Sequence, residues 1–179
     1  PQTILQEGII NGMAEVGRLF EQGEYFVPEM LLSARAVKDA LQVLKPYLQL
    51  AHIQPRGKVL IGTVKGDLHD IGKHLVSIML EGAGYEIVDL GVDVDTMLFV
   101  EKAREEKPQV VALSALLTTT MLNMSHVVQA LRKEEDLRNV KVIIGGAPVT
   151  QSFADAIAAD GYAADASQAV RLIQRLLQN

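Results

Sequence analysis

The residues most able to do chemistry lie in a glycine-rich segment, residues 63–72, that follows an apolar run and places His69 two residues after Asp67. A neutral imidazole binds a metal through one ring nitrogen, and a carboxylate that accepts the other N–H fixes the tautomer and strengthens the ligand. In an extended turn, residues two apart project to the same side, so the two side chains can meet. We therefore predict that His69 is a metal ligand and Asp67 its hydrogen-bond partner. Gly66 and Gly72 would let a bulky group approach the backbone.

Two more short motifs follow at the ends of later apolar runs. They are Ser114-Ala115-Leu116 and Gly145-Gly146, separated from the first motif and from each other by residues 73–113 and 117–144. An Asp-x-His turn alone would more often be a solvated or helix-capping feature. The composite DxHxxG, SxL and GG at these gaps resembles the cobalamin-binding signature of B12-dependent methyltransferases and mutases.

Composition bounds the class of protein. With 179 residues and 49% hydrophobic content, the chain can bury one substantial core, or one core plus a small satellite domain. The net charge of −5, without a basic run, argues against a nucleic-acid partner. Zero cysteines exclude disulfides and iron–sulfur ligation, which suits a cytoplasmic protein. Neither a signal peptide nor an apolar run of about 18 residues is visible, so we expect no membrane partner.

Residues 1–50 predict a small helical bundle, and the resemblance to cobalamin-binding proteins implies that this bundle is a cap domain. Gly23 interrupts two helical patterns, the second opening at Pro28 and ended or kinked by Pro46. The first pattern has apolar side chains at helical spacing: Leu5, Ile9, Met13, Val16 and Phe20. Two helices form only half a bundle, and the chain starts at Pro1, so we expect an N-terminally truncated cap. Its apolar stripe would be covered by upstream helices, another subunit or the flat face of a cofactor.

Residues 51–57 are polar with a proline and a glycine and predict a linker, and residues 58–179 predict an α/β domain. Alternating elements indicate a parallel sheet with helices on both faces. The predicted strands are 59–63, 86–90, 110–114, 140–145 and 161–163, and the predicted helices are 71–83, 95–106, 121–137, 151–159 and 165–177. Five such units fit a flavodoxin-like (Rossmann-like) sheet of order 2-1-3-4-5, with ligands at the carboxyl ends of the strands. All three motifs fall at that edge.

Nearly the whole chain resembles the small corrinoid proteins of anaerobic methanol, methylamine, betaine and O-demethylase methyltransferase systems, which are related to the cobalamin-binding module of methionine synthase. The resemblance implies cobalamin bound base-off, with its benzimidazole in a deep pocket and cobalt ligated by His69. Asp67 would hold that histidine, Gly72 would let the tail pass, and Asp70 would either cap the next helix or contact the cofactor. The remaining implied cofactor-binding positions are Gly66, Ile71, Ser114, Leu116, Thr118, Gly145, Gly146 and, more weakly, Ala166.

The same resemblance extends to the cap and to a possible proton relay. Phe20, Phe26, Val27 and Met30 match positions that shield the upper corrin face, although apolar bundle residues are also ordinary core. In methionine synthase, a serine follows the histidine and aspartate as the third member of the relay. The matching residue here is Thr120, which keeps the hydroxyl and adds a methyl group. We interpret His52, His74 and His126 as ordinary histidines rather than ligands.

The implied function is that of a methyl carrier rather than an enzyme on its own. Co(I) would accept a methyl group to give methyl-Co(III), with reduction coupled to proton uptake at the His69 site. The implied partners are a donor-specific methyltransferase, a tetrahydrofolate-dependent acceptor methyltransferase and a reductive activating protein. The methyl donor cannot be read from the chain because it depends on the partner.

Three alternatives remain open. An adenosylcobalamin mutase subunit shares DxHxxG but does not usually carry this cap. A B12-dependent sensor would need an output domain such as a helix-turn-helix. A cofactor-free flavodoxin-like interaction or receiver domain would fail to take up hydroxocobalamin.

Overall fold

The computed structural model describes residues 1–178 and contains one five-stranded sheet. All neighbouring strands are parallel, in the order β2-β1-β3-β4-β5. The strands are β1 (Lys58–Thr63), β2 (Glu86–Asp89), β3 (Val110–Ser114), β4 (Lys141–Gly145) and β5 (Gly161–Ala163). This topology confirms the predicted flavodoxin-like α/β fold.

Helices cover both faces of the sheet. They are α3 (Ile71–Gly82), α4 (Thr96–Glu106), α5 (Leu122–Lys133), α6 (Gln151–Ala156) and α7 (Ala166–Gln178). On one face, Leu60 and Ile144 pack with Phe99 of α4 and Met124 of α5. The opposite face forms a second core from Val59, Ile61, Leu80, Ile143 and Ile173. Strands covered on both faces are apolar at consecutive positions, which explains the unbroken runs in the sequence.

The strand register aligns the three motifs. Thr63 at the end of β1 pairs with Ser114 of β3, and Ser114 pairs with Gly145 of β4. The carboxyl ends of these strands therefore lie side by side, and the loops that follow them share one edge of the sheet.

The N-terminal region is helical, as predicted. A π-helical segment, Ile4–Ile10, leads into α1 (Asn11–Glu21), and α2 (Val27–Leu50) follows. The backbone N–H of Phe26 donates to the Glu29 carboxylate at 2.9 Å at the start of α2. Helix α2 continues past Pro46 to Leu50, so of the two predicted effects of this proline, ending or kinking the helix, the first is wrong. Residues beyond the proline complete the helix on its carboxyl side.

The two N-terminal helices pack on α3 and α7 of the α/β domain. Their shared core is rich in methionine: Met13 and Met30 meet Leu75, Met79 and Ala166. Among residues 1–178, no helix combines the length and the apolar character needed to cross a membrane.

Candidate cofactor site

A tight turn after β1 aims the first motif into the protein. The backbone N–H of Asp67 donates to the carbonyl of Val64 at 3.1 Å, and Gly66 at the third position has a φ of +83°. A turn with positive φ at this position favours glycine, because glycine lacks the Cβ that would clash. The turn sends the chain back over the end of β1 and buries the Asp67 side chain completely.

Asp67 and His69 form the predicted pair. Oδ1 of Asp67 lies 2.7 Å from Nδ1 of His69 and also accepts the backbone N–H of His69 at 3.1 Å. An ionised carboxylate only accepts, so Nδ1 carries a proton, and in the neutral imidazole Nε2 then has the lone pair. The hydroxyl of Thr63 donates to the His69 carbonyl at 3.0 Å and fixes the backbone of the same residue.

The second oxygen of Asp67 is held by the loop after β3. Thr120 Oγ1 donates to Oδ2 at 2.6 Å, and the backbone N–H groups of Leu116 and Leu117 donate at 2.8 and 3.3 Å. Burial alone would raise the pKa of Asp67, but hydrogen bonds from Thr120, Leu116 and His69 outweigh it and hold the pKa well below the usual range. Asp67 is therefore ionised at neutral pH, and hydrogen bonds connect Thr120 through Asp67 to His69 without a break.

The His69 ring borders a deep cavity. Its side chain is 51% exposed while that of its partner Asp67 is fully buried. The adjoining cavity has a volume of about 600 Å³ and runs down between the edge of the sheet and helices α3 and α7. Most of its wall is apolar or small, including Leu75, Val76, Ala112, Ile143, Ala163 and Ala169.

Two glycines shape this cavity in different ways. At Gly146, with a φ of +130°, any Cβ would overlap the carbonyl oxygen of Ala115, so only glycine lets the β3 and β4 loops approach this closely. At Gly72, a Cβ would meet no atom within 4 Å. Protein packing therefore does not require a glycine at position 72, and the space beside Gly72 is open to the cavity.

The structure gathers many of the predicted residues around this cavity. Besides His69, the predicted residues that line the cavity are Phe20, Asp70, Ile71, Gly72, Ser114, Leu116, Gly145, Gly146 and Ala166. Asp70 precedes α3, but its side chain makes no capping hydrogen bond. Asp67, Thr120 and Gly66 lie behind the histidine, in its supporting network and turn.

The other predicted positions lie away from the cavity wall. Thr118 is exposed on the loop after β3. Phe26 and Val27, at the start of α2, are 65% and 40% exposed, whereas Met30 is fully buried in the methionine-rich core. Phe20 is the cap residue among the four that reaches the cavity.

Several site residues were missed by sequence reasoning. The backbone amides of Leu116 and Leu117 have no side-chain signature. Lys73 lines the cavity, and its buried amine pairs with Asp89 at the end of β2. The sequence could have predicted this role, because a lysine that directly follows DxHxxG on the side of α3 facing the sheet needs an acidic partner. In residues 1–178, no group of three or more His, Asp or Glu side chains is placed to hold an ion.

Comparison with known families agrees with this geometry. A family model described as "B12 binding domain" matches residues 57–171, and a second model with the same description matches residues 1–45. Trimethylamine corrinoid protein 1 of Methanosarcina acetivorans is 44% identical over 179 residues, which cover 99% of this chain and 83% of that protein.

Solved structures give the same result. A cobalamin-binding protein from Desulfitobacterium hafniense DCB-2 matches with a TM-score of 0.80 and 37% identity, over 92% of this chain and 77% of that one. The methanol:cobalamin methyltransferase complex MtaBC from Methanosarcina barkeri matches with a TM-score of 0.85 and 30% identity, over 99% of this chain and 67% of that one. The chain therefore belongs to the family of B12-binding corrinoid proteins of methyltransferase systems, and its cofactor is a cobalt corrinoid.

Proposed function

We propose that this protein binds cobalamin base-off, with His69 as the protein ligand of cobalt, and carries a methyl group from a donor methyltransferase to an acceptor methyltransferase. The observation that carries the proposal is the His69 ring, oriented by buried Asp67 and standing at the mouth of a cavity of about 600 Å³. When bound, the cobalt centre supplies the nucleophile for methyl transfer, and the protein supplies orientation and shielding.

The residues present fit such a cofactor. One imidazole offers a single nitrogen, Nε2, which suits an ion whose other ligands come from its own macrocycle. Beside it, the cavity wall is mostly apolar, and no protein atom occupies the space next to Gly72, which leaves room there for part of the cofactor. Ser114, Gly145 and Ala166 line the same wall, where the displaced base and its nucleotide tail would lie.

Asp67 has two functions in this proposal. As an ionised acceptor it keeps the proton on Nδ1, so that Nε2 remains the ligating atom. Because Oδ2 is held by Thr120 and two backbone amides, rotation of the carboxylate is restrained. The network therefore favours one orientation of the His69 ring relative to Asp67.

In this proposal, residues 1–50 are the cap over the upper face, residues 51–57 a linker and residues 58–179 the cobalamin-binding domain. Phe20 reaches the cavity from α1, and exposed Phe26 and Val27 offer apolar surface near the start of α2. Met30 supports this surface from within the core. The shielding function would keep water from the methyl group until a partner displaces the cap.

The proposed partners follow from the carrier function. The similarity to a methanol:cobalamin methyltransferase complex supports a methyltransferase as the partner of this protein. A tetrahydrofolate-dependent acceptor methyltransferase and a reductive activating protein complete the proposed cycle. Protein loaded with cobalamin, reduced to Co(I) by an added reductant and mixed with candidate donor enzymes and their methylated substrates, should form methyl-Co(III) cobalamin, and absorption spectra follow this change. Carbon-skeleton rearrangement with adenosylcobalamin, without methyl transfer, would favour a mutase subunit instead.

The ligand assignment is tested by spectroscopy of the reconstituted protein. Apoprotein loaded with hydroxocobalamin and reduced to Co(II) should show EPR hyperfine coupling from one imidazole nitrogen. His69→Gly should lose this coupling yet retain cobalamin through its buried tail. His126→Gln, at an exposed histidine on α5, is the matched control and should behave as wild type. An unchanged nitrogen pattern in His69→Gly would refute the assignment.

A further inference from the structure

The loop that carries His69 is held from a second side by Asp93, a residue between β2 and α4. The Asp93 carboxylate accepts the backbone N–H of Gly66 at 2.8 Å and the ammonium of Lys65 at 3.2 Å. In return, the backbone N–H of Asp93 donates to the carbonyl of Asp67 at 2.9 Å. Asp93 therefore holds the backbone of two successive residues, Gly66 through its N–H and Asp67 through its carbonyl.

The backbone of Asp93 is specialised for this contact. Its φ of +53° lies in the left-handed region, which non-glycine residues adopt rarely and which Asp and Asn tolerate best. On its carboxyl side the chain is fixed, because the N–H of Val94 donates to the Thr63 carbonyl at 3.0 Å and buried Val94 forms a parallel bridge with buried Val64. The left-handed turn therefore projects the carboxylate from an anchored backbone.

A second contact, from helix α5, holds the loop on its other side. Asn123 of α5 donates from Nδ2 to the Lys65 carbonyl at 2.8 Å. The loop after β1 is thereby held between the β2–α4 connection and the start of α5. Neither contact involves the imidazole itself, and the Asp93 carboxylate is 43% exposed at the edge of the site.

The geometry points to Asp93 as a positioning residue for His69, the proposed ligand of cobalt. Gly66 is the turn residue directly before Asp67, and Asp67 in turn orients the imidazole of His69. Release of the Gly66 N–H would free the turn to rotate, and the Asp67–His69 pair would move with it. The inference rests on the proposed ligation of cobalt by His69 and adds the element that keeps this ligand in reach.

Asp93→Gly is the informative variant, because glycine keeps the left-handed backbone accessible and removes only the carboxylate. We expect cobalamin binding through the tail to persist, while the ratio of histidine-coordinated to histidine-free Co(II) falls roughly 10-fold, in the range typical for loss of an outer partner. Asp93→Asn retains an acceptor oxygen for the Gly66 N–H and tolerates the same backbone, so it should restore coordination.

Lys107→Gly is the matched control. Lys107 ends α4 with a φ of +49°, so this variant adds glycine at another left-handed position outside the histidine loop. It should leave the nitrogen coupling at the wild-type level. In apoprotein, the Gly66 amide should exchange its hydrogen faster in Asp93→Gly than in Asp93→Asn or Lys107→Gly.

The outcomes separate the two proposals. If wild type shows nitrogen coupling that His69→Gly loses, but Asp93→Gly keeps it in full, then the positioning role is wrong and the ligand assignment stands. A lowered unfolding midpoint in Asp93→Gly with an unchanged coupling ratio would likewise overturn it, as a purely structural contact. Absence of nitrogen coupling in wild type itself would refute the proposed ligation first. Loss in Asp93→Gly with recovery in Asp93→Asn supports the inference.

Discussion

Thr120 offers the sharpest test of the buried network, because one hydroxyl can be removed with almost no change in shape. Its Oγ1 donates to Asp67 Oδ2 at 2.6 Å and lies 3.0 Å from the Leu117 carbonyl. Thr120→Val replaces that hydroxyl with a methyl group at a buried position. Thr120→Ser keeps the hydroxyl and removes only the methyl.

The size of the effect follows from these contacts. A hydrogen bond to a charged group contributes about 1.5–3 kcal/mol, and Oδ2 still accepts from the Leu116 amide in the valine variant. We therefore expect Thr120→Val to lower the free energy of unfolding of the apoprotein by about 2 kcal/mol. Loss of a buried methyl in Thr120→Ser should cost about 0.8 kcal/mol. At roughly 2–4 °C per kcal/mol for a chain of this size, the valine variant should lose about 4–8 °C in Tm.

Circular dichroism during heating of the apoproteins measures this order: wild type, then serine, then valine. A valine variant as stable as the serine variant would refute the reasoning that the Thr120 hydroxyl stabilises the buried carboxylate. Both variants should keep imidazole coupling in Co(II) cobalamin, because Asp93 still anchors the backbone of the turn and the Leu116 and Leu117 amides still hold the Asp67 carboxylate. Loss of coupling in the valine variant alone would show that the hydroxyl supports ligation through Asp67.

Three further predictions concern the packing and charge around the site. Gly82→Ala should destabilise the apoprotein by roughly 1–3 kcal/mol, because the new Cβ would lie 2.5 Å from Met13 Cγ. Gly12→Ala is the control and should cause no loss of stability, because its Cβ would meet no atom within 4 Å. Urea unfolding compares the two variants. Gly72→Ala should leave apoprotein stability unchanged or slightly raised but weaken cobalamin binding in titrations, and equal affinity would contradict the proposed path of the tail. Burial raises the pKa of Glu81 above its usual 4.5, helped by nearby Asp89, so wild type loses stability as pH rises through that folded-state value. Glu81→Gln should therefore be more stable than wild type at neutral pH and lose this advantage near pH 4, which unfolding at both pH values will check.

Much of the fold could be predicted because it depends on patterns that the chain carries locally. Consecutive apolar residues in β1, β3 and β4 reflect burial on both faces, and the alternation with helices dictates a parallel sheet. Since motifs at the carboxyl ends of parallel strands share an edge, the topology predicts that Asp67 lies near the loop that follows Ser114. The register of β1, β3 and β4 then places the cavity at this edge.

The remainder depends on contacts that no local pattern encodes. The amides of Leu116 and Leu117 donate to Asp67 only because of the path of their loop, and any residue type offers the same N–H. The left-handed backbone of Asp93 is likewise invisible in the sequence. In the cap, Phe26 is exposed and Met30 buried because neighbouring helices, rather than hydrophobicity, decide which side of α2 is covered.

The joint between the N-terminal helices and the α/β domain is made largely of Met13, Met30 and Met79. A thioether side chain is unbranched, has three rotatable bonds and fills irregular gaps with little energetic penalty. The valines of this joint lie at its partly buried periphery, so the fully buried contacts are made mostly by side chains with several accessible rotamers. A shift of the N-terminal helices relative to α3 would therefore be met by rotamer changes that keep the joint filled.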